Sequence, residues 1–270
     1  MTLAELREAE APPEIGALYA RLREASGVPL VNLIHRHLAT MEGVLPWLWA
    51  AIRPPLEDGS LAGVRERLAA AIDLPPLAPL PAEAWAAAGL TAEARPAVAN
   101  LVDVYNRGNL TNLILLTAIR RSLEGTPAEP APPPPRLAPP AMLPAPPPLP
   151  RLGTLPPGLA AQVEALAARH AGTVVPSLYL HLAHWPALPA ALPGWAGPLL
   201  EPGRIAAARA ATLRLAEAEA DALRPALAPP GPIPPAHGAA ALAVITRFTR
   251  AVIPDMVPIG LGLRRLLAPG

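Results

Sequence analysis

Apolar residues recur at helical spacing along most of the chain. Ile15, Leu18 and Leu22 lie at i, i+3 and i+7 between Pro12-Pro13-Glu14 and Gly27, which predicts a first amphipathic helix. Leu30, Val31, Leu33, Ile34 and Leu38 follow Val28-Pro29 and lead to Gly43, predicting a second helix with Pro29 in its first turn. Asp58-Gly59-Ser60 opens a third through Leu61, Val64, Leu68 and Ile72, and Pro75 to Pro81 breaks it. A short helix carries Trp85, and Thr91 caps the next, on which Val98, Leu101, Val102 and Tyr105 recur. Downstream, Leu113, Leu116, Ile119 and Leu123 repeat that spacing. The intervening Asn106-Arg107-Gly108-Asn109 predicts a junction between two helices, Gly108 ending one at positive φ and Asn109 capping the other. The Asn109 amide, which donates and accepts, is also a candidate for orienting a small ligand or water.

The pattern stops between Thr126 and Pro157, where 15 of 32 residues are proline. This composition predicts a polyproline-like linker that acts as a spacer, dispensable for folding and long enough to join two packed units. Beyond it the first half returns. Ile15, Tyr19 and Leu22 are echoed by Leu159, Val163 and Leu166, each 144 later (159 − 15, 163 − 19, 166 − 22). His37-Leu38-Ala39 returns as His181-Leu182-Ala183, and Leu56 to Gly59 as Leu200 to Gly203, both 144 later. Val28-Pro29 has a counterpart in Val175-Pro176, and Tyr105 to Arg121 in Phe248 to Arg265. The expected fold is therefore all-α: two tandem helical repeats, 1–125 and 158–270, joined by a linker at 126–157 and packed as one unit about a pseudo-two-fold axis. A crevice between the halves is the natural place for a pocket.

Composition narrows the function. The 22 basic residues are all Arg, and against 21 acidic ones they leave a net charge of +1, so neither nucleic acid nor an anionic membrane is an expected partner. The absence of Cys removes disulfides, thiolate catalysis and Cys-ligated metals. His35 and His37 are two apart, on different helix faces, which is wrong for a shared metal. The start of the chain lacks an export signal and no long apolar run is free of charge and proline, so a cytoplasmic location is expected.

Several motifs together resemble the group I 2-haloacid dehalogenases, which hydrolyse both enantiomers of small 2-halocarboxylic acids. They are Val28-Pro29, Arg36, Leu38-Ala39-Thr40 with Gly43 and Leu45-Pro46, Asn106-x-Gly108-Asn109 with Leu113-x-Leu115 and Thr117-Ala118, Leu182-Ala183-x-Trp185-Pro186, and Arg247-Phe248. The resemblance implies an all-α duplicated fold with the active site between the halves, a homodimer, a small carboxylic acid as ligand, and no metal or cofactor. It also implies a mechanism in which a carboxylate deprotonates a water that displaces the halide with inversion, while an asparagine, matched by Asn109, holds that water. Ser177 matches a serine that helps hold the substrate carboxylate.

The chain departs from that family at the base. The aspartate expected after the serine is Leu178, which has no proton-accepting group. Two aromatic wall positions are Leu30 and Leu33, and a tyrosine position is Asn112. Asp103, one turn before Asn106, and His181, one turn after Leu178, are candidate replacement bases; Arg107 and Arg250 are candidate carboxylate partners. Two readings stay open: a dehalogenase-like hydrolase, or a catalytically silent relative that binds a small carboxylic acid or serves as a helical interaction scaffold.

Overall fold

In the computed structural model, which describes residues 3–128, 134–138, 140–170, 174–229 and 231–268, helices carry the chain and no strand occurs among the described residues. The first half runs α1 (Pro13–Ser26), α2 (Leu33–Leu38), α3 (Val44–Glu57), α4 (Ser60–Ala71), α5 (Ala82–Ala87) and α6 (Ala94–Leu123). The second runs α7 (Pro157–Ala167), α8 (Ser177–Leu182), α9 (Ala187–Trp195), α10 (Gly197–Leu200), α11 (Pro202–Leu223), α12 (Gly238–Arg247), a π turn (Phe248–Val252) and α13 (Ile253–Leu266). Gly27 ends α1 in the left-handed region at φ 64°, as its place after the last periodic residue requires.

The second helix is shorter than its apolar run suggested. It gives way to a turn, and Gly43 at φ 75° leads into α3, which carries Pro46, Pro54 and Pro55 and had no helical prediction. Pro46 sits in the first turn, where a missing N–H costs nothing. Pro55 leaves the Ala51 carbonyl without its usual donor, and the Ala228 N–H supplies one at 3.1 Å.

The larger correction concerns Asn106-Arg107-Gly108-Asn109. These residues are not a junction: they lie inside α6, a single helix of 30 residues, and Gly108 is helical. Successive helical side chains point about 100° apart, so the four serve different neighbours. Asn106 donates through Nδ2 to the Gly260 carbonyl of α13 at 3.1 Å. Arg107 donates to the Gly27 and Ala141 carbonyls. Gly108 lets the Asn32 side chain close in, for a Cβ there would lie 2.8 Å from its amide nitrogen. Asn109 faces the pocket described below.

Helix α6 is the central element, packing on α11, α12 and α13 of the second half as well as on α4. Arg121 pairs bidentately with Asp221 of α11 at 2.8 and 2.6 Å, and Arg120, 1% exposed, donates to Glu217 and Glu124. Element bounds recur at the spacing read from the sequence: α1 and α7 begin 144 apart (157 − 13), and α2 and α8 begin and end 144 apart (177 − 33, 182 − 38).

Part of the proline-rich stretch, 129–133 and 139, lies outside the described residues. The rest is docked on both halves, which a free spacer would not be. The Leu137 and Leu143 N–H groups donate to the Gly59 and Gly27 carbonyls. In return the Pro144 carbonyl accepts from Asn100, Pro147 from His181 and Pro148 from His184. Proline lacks the donor but keeps the acceptor, so a proline-rich strap is held mainly through its carbonyls. Gly59 is required beneath it: at φ 79°, a Cβ would fall 1.7 Å from the Leu137 oxygen.

Candidate functional site

A cavity of about 50 Å³ lies where α2, α6, α8 and α13 meet. That is room for a ligand of a few heavy atoms. Its lining falls into pairs 144 apart from the two halves: Leu30 and Val174, Asn32 and Pro176, Leu33 and Ser177, Ile34 and Leu178, Asn109 and Ile253, Asn112 and Met256. Arg36, Tyr105, Phe248 and Val252 complete it. Six residues singled out from the sequence thus meet here: Leu30, Leu33, Asn109, Asn112, Ser177 and Leu178. Leu178 is 1% exposed in the wall, and no Asp or Glu is among the described residues lining the cavity.

Short α2 and α8 bring one wall each. Each is entered from an extended N-cap residue, Asn32 for α2 and Pro176 for α8, which puts Leu33 and Ser177 at first positions 144 apart; Pro29 lies ahead of α2 and not in its first turn. The long helix α6 contributes Tyr105, Asn109 and Asn112 at i, i+4 and i+7, one continuous stripe.

Arg36 supplies the positive charge. It is 6% exposed, its Nε donates to the Glu5 carboxylate at 2.7 Å, and its Nη1 donates to the Val31 carbonyl. Burial pushes the Glu5 carboxyl up, but Arg36 and Arg7 outweigh that and hold it below the usual carboxylate range. Arg36 and Ser177 also border a wider outer groove of about 580 Å³, lined by Arg7, Arg151, Glu10 and Glu164 among others. Leu33 and Val174 are shared as well, so the two spaces have a common wall.

His181 does not line the cavity but stands behind its wall. The Tyr105 hydroxyl is 2.9 Å from His181 Nδ1, and His181 Nε2 is 2.5 Å from the Pro147 carbonyl. A carbonyl only accepts, so Nε2 carries the proton and Nδ1 accepts from Tyr105. Burial pushes the imidazole pKa down to about 4, against the raising effect of the Pro147 hydrogen bond, so the ring is neutral at pH 7. Burial raises the Tyr105 phenol. Tyr105, which lines the cavity, and His181 behind it therefore form a hydrogen-bonded pair leading inward.

Asp103 lies elsewhere, paired with Arg264 at 2.9 and 3.1 Å and 38% exposed at the side chain. Arg107 is spent on carbonyls, and Arg250 is exposed beside Glu124. Arg36, Asn32 and Tyr105 were not picked out as site residues from the sequence. The available signal was an arginine within an otherwise apolar helical run. No group of three or more His, Cys, Asp or Glu among the described residues is placed to hold a metal, and none of the described helices is long and apolar enough to cross a membrane.

The architecture, a helical chain with a cavity where α2, α6, α8 and α13 meet, has close structural counterparts. A D-2-haloacid dehalogenase mutant superposes with a TM-score of 0.81 at 17% identity, over 98% of this chain and 96% of that one. The complex of a D-2-haloacid dehalogenase mutant with D-2-CPA gives 0.81 at 18% identity, and the complex of D-2-haloacid dehalogenase with L-LA gives 0.82 at 18%, each over 98% of this chain and 96% of that one. The chain thus has the haloacid dehalogenase fold. No family model matches the sequence, and no curated protein does.

Proposed function

We propose that the cavity binds a small carboxylic acid of the 2-halo or 2-hydroxy type, and that the chain is a dehalogenase-like protein without the family's hydrolytic base. The observation that carries this reading is Leu178. It sits, buried, in a wall that otherwise offers Arg36, Ser177 and the amides of Asn32, Asn109 and Asn112. A ligand carboxylate is recognised by the Arg36 guanidinium and the Ser177 hydroxyl. Its alkyl part lies against Leu30, Leu33, Phe248 and Met256, and the Asn109 amide orients a water or the 2-substituent. The ligands named for the structural counterparts, D-2-CPA and L-LA, support this class of molecule.

Displacement of halide by water requires a base within hydrogen-bond reach of that water. Loss of the base alone commonly costs ~10²–10⁴ in rate. Wild-type protein is therefore expected to bind 2-chloropropionate in calorimetry yet release no halide above background from either enantiomer. Leu178→Asp is expected to restore turnover, with activity falling toward acidic pH because the buried carboxyl's pKa is raised. Brisk halide release by wild type, abolished by His181→Ala, favours the second reading. In that reading the Tyr105 hydroxyl, which lines the cavity and is joined to His181 at 2.9 Å, takes a proton from the attacking water as it passes its own to His181 Nδ1. Absence of binding by wild type ends both.

A further inference from the structure

Behind the Asn112 side of the cavity lies a second, smaller space of about 10 Å³, room for roughly one water molecule. Leu30, Asn32 and Asn112 line both spaces, so they form the partition, while His35 and Thr111 line only the inner one. Three polar atoms on its walls have no hydrogen-bond partner: His35 Nε2, Thr111 Oγ1 and Asn112 Nδ2. Their residues are 5%, 4% and 2% exposed. A buried polar group left unpaired is destabilising, so three around one space call for an occupant.

We infer that this inner space is a binding site for a single water molecule, held by His35 Nε2, Thr111 Oγ1 and Asn112 Nδ2. Water fits the donor and acceptor requirements. The Asn112 Nδ2 only donates, the Thr111 hydroxyl does either, and a neutral imidazole nitrogen does one or the other according to its tautomer. A water has two of each, whereas a monatomic anion would need all three groups to donate. Burial pushes the His35 imidazole down to about 4 and Arg36 pushes the same way, so the ring brings no charge to hold an anion at neutral pH. The neighbouring Leu22, Val28, Ile52 and Leu56 are apolar, and the Ser26 hydroxyl that also lines the space already donates to the Leu22 carbonyl. By accepting from the Asn112 Nδ2–H, the water fixes the rotation of that amide and hence which of its atoms faces the outer cavity. Asn112 is in this sense a positioning residue, and the inference stands whether or not the outer cavity binds a carboxylic acid.

The test pairs two near-isosteric variants with a high-resolution crystal structure of the wild type. Thr111→Val removes one of the water's partners. Thr117→Val removes another buried, unpartnered hydroxyl that lines neither space. The wild-type structure is expected to show one water within hydrogen-bond distance of the three atoms. Water relaxation dispersion should count one fewer long-lived internal water in Thr111→Val and no change in Thr117→Val. The melting temperature should fall by about 2–4 °C more in Thr111→Val than in Thr117→Val, the shift for ~1 kcal/mol in a chain of this size. An empty space in the wild-type density overturns the inference, as does an anomalous bromide peak there after soaking. If the melting data and the density disagree, the density decides.

Discussion

The two walls of the cavity occupy equivalent places in the two halves and differ in chemistry. Asn32, Arg36, Asn109 and Asn112 come from the first half. At 144 residues further on stand Pro176, Leu180, Ile253 and Met256. Only Leu33 and Ser177 reverse the sense. The two long helices differ likewise: α6 runs unbroken, whereas the matching stretch is interrupted by a π turn and carries Pro254 and Pro258. The spacing between halves changes from 143, for Tyr105 and Phe248, to 144, for Arg121 and Arg265. A π turn takes up one extra residue, and this one falls within the interval where the spacing changes. Its first and last residues, Phe248 and Val252, both line the cavity. Lining positions 144 apart thus place most of the cavity's polarity on one side. That suits a ligand with one polar and one apolar end.

The largest expected effect separates two buried histidines, one per half. Burial lowers both His35 and His181 from 6.5 to about 4. A depressed folded pKa means the unfolded chain takes up protons first, so the associated stability is fully present above pH 6.5 and is lost as pH falls toward 4. At its steepest the loss is about 1.4 kcal/mol per pH unit for each ring. Thermal unfolding followed from neutral pH down to about pH 4.5 should show a falling melting temperature. Replacing either histidine by Gln should flatten its share of the slope. A profile already flat in the wild type would contradict the burial of both rings as neutral imidazoles.

Next in size is the contact that joins the unbroken helix to the interrupted one. A Cβ at Gly260 would lie 2.0 Å from Asn106 Oδ1, and Asn106 Nδ2 donates to the Gly260 carbonyl. Gly260→Ala should therefore destabilise by about 1–3 kcal/mol through overpacking, although Ala is the better helix former. Chemical denaturation measures it. Asn106→Ala in the Gly260→Ala background should recover part of the loss; additive losses would mean that the two residues do not meet.

Much of the helical plan was legible because apolar spacing and prolines act locally. Gly27, with no periodic residue after it, and Asp58 before Ser60, whose N–H donates to the Asp58 carboxylate at 2.9 Å, marked real helix ends. The same signals misled at Gly108, since a glycine that accommodates a neighbouring side chain has the same letter as one that ends a helix. Only the position of Asn32, 76 residues earlier (108 − 32), tells them apart. The α3 prolines hid a helix for a similar reason: the donor that Pro55 lacks is supplied to the Ala51 carbonyl by the distant Ala228 N–H. For the cavity, the residues drawn from the family resemblance, Asn109, Asn112, Ser177 and Leu178, share one lining. The roles of Arg36 and Tyr105 depended on partners at Glu5 and His181, which no local pattern announces.

The smallest effect distinguishes the cavity from the nearby surface. Asp103 is on the same helix as Asn106 and Asn109, and one helical turn suggested that it could act as a base. Its carboxylate is instead held by Arg264 of α13 and is partly exposed, where solvent screens the pair. Such pairs contribute about 0–1 kcal/mol. Asp103→Asn should accordingly shift the melting temperature by no more than a few degrees and leave affinity for 2-chloropropionate unchanged, because the cavity wall passes through Tyr105, Asn109 and Asn112 and not through Asp103. Arg36→Met, in contrast, should abolish that affinity. Parallel calorimetric titrations of the two variants sharpen the comparison between an ion pair that joins the halves at the surface and a cation that faces the ligand. Equal losses of affinity would show that charge anywhere on this face, rather than a positioned guanidinium, governs binding.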